Sequence, residues 1–188
     1  LRKNTITLPA MNVKTIADRK NIIKSKENAF ELEMDVTPAS MATTGIELYN
    51  AKGEKVNIYF DMKERKLVMD RTESGLIEFG KLAVPHDIEK NYADIHQGVG
   101  NTPFRVFNSI NYKNDFALGT WAPLSLCEGK TYHVDIFVDK CSVEIFVDGG
   151  RIAMTNLVFP TTPYTSVKFY NKGASSSFRN IKISELSL

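Results

Sequence analysis

Cysteine is nearly absent from this sequence: Cys127 and Cys141 are its only two. Their spacing fits neither a CxxC redox pair nor a zinc site. A disulfide between them is disfavoured, because the hairpin described below puts Cys141 at a turn tip, poorly placed to reach Cys127. Histidine is as scarce. His86, His96 and His133 are scattered, without an HExxH pair, so no metal is expected. No block of single-sign charge occurs, and the formal net charge is only +2. Such a chain offers no phosphate-tracking surface, which argues against nucleic acid as a partner. No apolar run is long enough to cross a bilayer. The chain opens Leu1-Arg2-Lys3-Asn4, with neither an initiator Met nor an apolar leader, so we expect a piece of a longer protein.

What is present suits one folded domain over residues 1–188. Hydrophobic residues make up 43% and charged residues 24%, which excludes a disordered chain. Phe30-Glu31-Leu32-Glu33-Met34-Asp35-Val36 alternates apolar and acidic residues, the period of a strand with one face in a core. Ile46 to Asn50, Val56 to Phe60 and Lys66 to Asp70 behave similarly, separated by short polar segments. These four runs predict an antiparallel meander.

Residues 133–155 give the strongest local inference. With Lys140-Cys141 as a two-residue turn, Val138 faces Val143, Ile136 faces Ile145 and Val134 faces Val147. With Gly149-Gly150 as the next turn, Val147 faces Ile152 and Ile145 faces Met154. Paired glycines suit a turn that needs positive φ at both central residues. All these aliphatic side chains then share one face, and a slip of one residue would scramble it. The other face carries Asp135, Phe137, Glu144, Phe146, Ala153 and Thr155, and its two phenylalanines call for cover by a loop, the N-terminal segment or a neighbouring domain, with the domain's own loops favoured.

Further on, Ser166 to Tyr170 and Phe178 to Ser184 read as strands joined by a turn over Asn171 to Ser177, with Ile181 and Ile183 pointing the same way. Ile88, Tyr92 and Ile95 have helical spacing, suggesting a short helix near 86–96, and Phe104 to Ile110 alternates like a strand. Ten or more strands at regular turn spacing favour an all-β fold, a two-sheet sandwich rather than a barrel. No segment repeats at a fixed interval, which argues against a propeller or solenoid.

A search for chemistry finds little. Gly98-Val99-Gly100-Asn101-Thr102-Pro103 begins like a dinucleotide loop but ends in Pro and lacks a strand-to-helix setting. No GxSxG occurs, and Cys141 has no evident base. Asp135 and Glu144 project from adjacent strands and form a carboxylate pair of the kind that hydrolyses glycosides, but outward acids on strands are more often solvated or ion-paired. Trp121, the single Trp, with Tyr112 and Tyr164, are candidates for stacking on a sugar ring. Packing in the core or at an interface is the favoured alternative for each.

Two segments carry a resemblance. Met69-Asp70-Arg71-Thr72-Glu73-Ser74-Gly75 resembles the DRTxSG element of the C-terminal domain of glycoside hydrolase family 32, the invertases, inulinases, levanases and other β-fructosidases. Ile136 to Arg151 resembles that domain's second hallmark, hxVDxSSVEhFhNDGR, and Phe159-Pro160 follows where the family often has the same pair. Cys141 stands where the family usually has Ser, Asp148-Gly149-Gly150 replaces Asn-Asp-Gly, and Pro85 to Gly100 has no clear counterpart.

The resemblance implies a two-sheet antiparallel β-sandwich, of the concanavalin-like or jelly-roll-like kind, that works beside an N-terminal five-bladed β-propeller of the same polypeptide. In that family the catalytic acids belong to the propeller, in WMNDPNG-like, RDP and EC motifs. Here Asn114-Asp115 lacks the surrounding motif, Arg-Asp-Pro does not occur, and Cys127-Glu128 has its two letters reversed. No catalytic residue carries over and no cofactor is implied. The matching residues Asp70, Arg71, Ser74, Gly75, Asp139, Ser142, Glu144, Gly149, Gly150 and Arg151 take structural roles. Asp139 and Ser142 are expected to cap a tight turn, the glycines to supply backbone freedom, and Arg71 to pair with Glu144 or Asp139. Expected partners are the propeller, a fructan, and a second copy of the chain. Secretion or a periplasmic or cell-surface location follows from the family, since polymeric fructans are met outside the cytoplasm.

Overall fold

The computed structural model describes residues 1–77, 116–124 and 129–187. The expected helix near 86–96, the strand at 104–110, Tyr112 and Cys127 lie outside these residues. Among the described residues there are thirteen strands: β1 (Arg2–Leu8), β2 (Met11–Val13), β3 (Ile16–Arg19), β4 (Phe30–Thr37), β5 (Thr43–Tyr49), β6 (Lys55–Asp61), β7 (Lys66–Glu73), β8 (Gly119–Pro123), β9 (Tyr132–Asp139), β10 (Ser142–Val147), β11 (Ile152–Leu157), β12 (Ser166–Lys172) and β13 (Ser176–Leu186). They form two antiparallel sheets. One has the order β1-β13-β4-β9-β10-β11, with β2 also on β13, and the other β3-β12-β5-β6-β7-β8. The all-β sandwich expected from the strand pattern is the architecture found.

The meander over 133–155 has the expected register. Val138 pairs with Val143, Ile136 with Ile145 and Val134 with Val147. Ile145 pairs with Met154 and Val147 with Ile152. Val134, Ile136, Val138, Val143, Ile145 and Val147 are all buried. The same alternation builds the opposing layer: Ile46, Leu48, Val56, Ile58, Phe60, Leu67 and Met69 are buried there. Both inner faces meet in one core, completed by Phe169 and Phe178, whose rings meet edge-on at 5.2 Å. Ile181 and Ile183 do point the same way, into that core.

Two expectations are corrected. The four runs from Phe30 to Asp70 are not one meander. β5, β6 and β7 pair in sequence, but β4 lies in the other sheet between β13 and β9. Alternation shows that one face of a strand is buried and is silent on its neighbours. The second hairpin keeps Gly149-Gly150 at its centre, as the Val147–Ile152 pairing requires, inside a four-residue loop from Asp148 to Arg151: the Gly150 N–H donates to the Val147 carbonyl at 3.2 Å, and Asp148 joins the two glycines at positive φ, 50°. Asp tolerates this left-handed backbone better than most residues. The turn near 171–177 is shorter than expected, because β12 runs to Lys172 and β13 begins at Ser176. The N-terminal strands β1 to β3, with little alternation of their own, line the edges of the two sheets.

Candidate functional site

The segment after β7 wraps onto the segment after β11. The Asp70 carboxylate accepts the Thr72 N–H at 2.9 Å, and the Ser74 N–H donates to the Arg71 carbonyl at 3.2 Å. These bonds bend the chain at its exit from the strand. Gly75 then adopts a φ of 129°, where a Cβ would stand 2.3 Å from the Phe159 carbonyl oxygen and 2.6 Å from the Pro160 Cα. Only glycine satisfies both the backbone and the contact. The Leu76 N–H donates to the same Phe159 oxygen at 2.8 Å.

Arg71 does not pair with Glu144 or Asp139. Its Nη1 donates to the Leu157 carbonyl at 3.0 Å, and its guanidinium lies 4.1 Å from the centre of the Phe116 ring, which packs on Phe159 at 5.6 Å. Burial lowers the Arg71 pKa from its ordinary value. The sequence hid this partner because a backbone carbonyl has no letter of its own. Where a carboxylate was expected, a strand-end carbonyl and an aromatic face receive the cation.

Tyr164, a candidate for sugar stacking, is fully buried and offers no face to a ligand. Its hydroxyl donates to the Ser74 carbonyl at 2.7 Å, and its N–H donates to the Asn28 side-chain oxygen at 2.9 Å. The Asn28 amide in turn donates to the Asp139 carbonyl at 3.2 Å. A relay through Tyr164 and Asn28 thus ties the first hallmark segment to the second. Asn28 has no mark in the sequence, since an isolated Asn in a polar stretch carries no periodic signal.

In the second hallmark, the Asp139 carboxylate caps the turn by accepting the Lys140 N–H at 2.7 Å, and Ser142 stands opposite Asp139. Cys141 is free and exposed, and its carbonyl accepts the Val158 N–H at 3.0 Å. At the other turn Asp148 accepts the Lys130 ammonium at 2.6 Å and the His133 N–H at 3.1 Å. Burial pushes the Asp148 carboxyl up, but these donors outweigh it and hold the group below its usual range. Gly149 and Gly150 continue the turn at φ of 67° and 90°, and Arg151 is exposed beside them.

The carboxylate pair is diagonal across two strands: Asp135 stands opposite Phe146, and Glu144 opposite Phe137. The two phenylalanine rings meet edge-on at 5.9 Å and are half-buried. Asp135 lies 3.4 Å from Nε2 of His133, whose Nδ1 is 2.8 Å from Asp35. Burial raises the Asp135 pKa. His133 opposes that shift while Glu33 and Glu31 add to it, so Asp135 sits in a cluster of charged side chains, a setting more often structural than catalytic. Among the described residues no group of three or more His, Cys, Asp or Glu side chains could hold a metal ion, and no helix is long and apolar enough to cross a membrane.

Fold and site together define an all-β sandwich module whose motif residues latch turns and strand ends to one another. The chain belongs to the family described as glycosyl hydrolases family 32 C terminal, whose model matches residues 1–185. It is similar to a levanase of Bacillus sp. (strain L7), at 23% identity over 99% of this chain and 17% of that protein. A levanbiose-producing levanase of Bacillus subtilis (strain 168) is 30% identical over 50% of this chain, again 17% of that protein. Among solved structures, a fructosyltransferase from A. japonicus shares the fold, with a TM-score of 0.69 at 15% identity over 98% of this chain and 26% of that one. The chain thus spans about a sixth of the length of the levanases it matches.

Proposed function

We propose that this chain is the accessory sandwich of a fructan- or sucrose-cleaving hydrolase, acting beside a five-bladed catalytic propeller of the same polypeptide and stabilising it. The family match along nearly the whole chain carries this reading. The use of the hallmark residues supports it: Asp70, Arg71, Gly75 and Asp139 are spent on turns, carbonyls and backbone contacts rather than held ready for a substrate. The names of the relatives support levan as a substrate of the whole enzyme, and a polymeric substrate favours action outside the cytoplasm.

The test compares the complete parent polypeptide with a version lacking residues 1–188. Removal should lower the thermal midpoint of the remainder and shorten its active lifetime on levan. The 188-residue chain alone should release no fructose from sucrose, inulin or levan, since each positioned acid or base in such chemistry contributes about 10²–10⁴-fold in rate. An unchanged thermal midpoint, or fructose release by the chain itself, would overturn the proposal.

A further inference from the structure

The outer face of the six-stranded sheet carries a row of apolar and aromatic residues that no single sequence segment reveals. Ile16 pairs with Tyr170, and Tyr170 with Gly45. Gly45 pairs with Tyr59, Tyr59 with Val68 and Val68 with Trp121. One residue from each strand thus stands in line across the whole sheet, roughly 24 Å at about 4.8 Å per strand. Trp121 is 57% exposed and Ile16 63%, with Tyr59, Tyr170 and Val68 half-buried between them. Gly45 leaves a dip in the middle of the row: a Cβ there would fall 2.5 Å from the Tyr59 Cβ. Across that dip the Tyr59 and Tyr170 rings approach to 6.5 Å.

Polar rows border the line on both sides. On one side Asp18, Lys168, Glu47, Asn57 and Asp70 stand in register, with Lys168 bonded to Glu47 at 2.6 Å. On the other, Lys172, Thr43, Asp61 and Lys66 stand in register, with the Lys66 ammonium 4.6 Å from the centre of the Trp121 ring. One border is net acidic, with Asp18, Glu47 and Asp70 against Lys168, and the other net basic, with Lys66 and Lys172 against Asp61; their sum nearly cancels, so the face as a whole favours a ligand of neither sign. A protein partner would want a contiguous apolar patch with charge kept to its rim. Here the apolar strip is one residue wide, and polar or charged residues flank it on both sides along β12, β5, β6 and β7. A neutral oligosaccharide matches that layout: its C–H faces lie on aromatic rings while its hydroxyls meet amides and ionised groups.

We propose that this transverse row, centred on Trp121, Tyr59 and Tyr170, is a binding face for a neutral oligosaccharide chain several sugars long. With the family reading above, the ligand is a fructan segment, so the site would hold polymer near the catalytic unit. Because Trp121 is the only Trp, its fluorescence reports on the face directly. Titrating the 188-residue chain with levan oligosaccharides should shift and saturate that emission, while cello-oligosaccharides should not at equal concentration. Trp121→Ala and Tyr59→Ala, each checked for an unchanged circular dichroism spectrum, should weaken calorimetric binding about tenfold, the scale of one aromatic contact. Emission indifferent to every oligosaccharide tested would overturn the binding face and leave the accessory role standing. Loss of parent thermal stability in Trp121→Ala, or self-association abolished by it, would instead assign the row to a protein interface and equally overturn the proposal.

Discussion

At the scale of single residues, the hallmark positions act through their backbones as much as through their side chains. Ser74 and Asp139 offer carbonyls to buried donors, Gly75 a contact no other residue allows, and Tyr164 links one segment to the other. Tyr164 is the sharpest test. Burial pushes its phenol above the ordinary value, so it remains a proton donor across the working range. Tyr164→Phe keeps the ring and leaves the Ser74 carbonyl without that donor. We expect a loss of about 1–3 kcal/mol, the cost of a buried polar group left unsatisfied, read from urea unfolding. An unchanged midpoint would mean that the Tyr164–Ser74 bond adds nothing to stability.

At the scale of elements, the β9–β10–β11 meander shows what a periodic pattern can and cannot do. Alternation and turn spacing set its register correctly, because any slip would turn Val and Ile outward. The partners of β4 were not legible, since they come from β9 and from β13 near the opposite end of the chain. The Arg71 contact and the Asn28 relay stayed hidden for the same reason: both depend on segments meeting only after folding. Neighbouring substitutions in β10 separate its two faces. Ile145→Ala should cost about 2–5 kcal/mol, as for a buried aliphatic truncated to a cavity. Glu144→Ala, one position along and facing out, should stay within about 0.5 kcal/mol. Equal losses in chemical denaturation would contradict the assignment of faces.

At the scale of the whole molecule, charge on the outer face of the other sheet makes stability depend on pH. His133 lies between Asp35 and Asp135, with Glu33, Lys182, Asn180 and Arg2 on adjoining strands. The hydrogen bond to Asp35 raises the His133 pKa against the opposing effect of burial. Burial pulls Asp35 upward, but the bonds from His133 and Asn180 outweigh it and lower its pKa. The raised histidine stabilises fully below its unfolded value, and that stabilisation fades as pH rises through the folded value. The lowered carboxyl stabilises above its unfolded value, and that is lost as pH falls through the folded one. The pair therefore contributes most between roughly pH 4 and 6.5. Urea midpoints of the parent and His133→Gln should differ more at pH 5.5 than at pH 8.5. A difference that does not change with pH would show that the pair contributes no pH-dependent stability.

Residue order carries the all-β class, the register of the β9–β10–β11 meander and the family kinship, because periodic burial and turn chemistry are local and leave a trace along the chain. Only folding decides which strands share a sheet, that Arg71 meets the Leu157 carbonyl rather than Glu144 or Asp139, that Tyr164 is an internal strut, and that five side chains and a glycine from six strands line up across one face. Those features join residues far apart in the chain, and only the packing of two sheets over a common core brings them together.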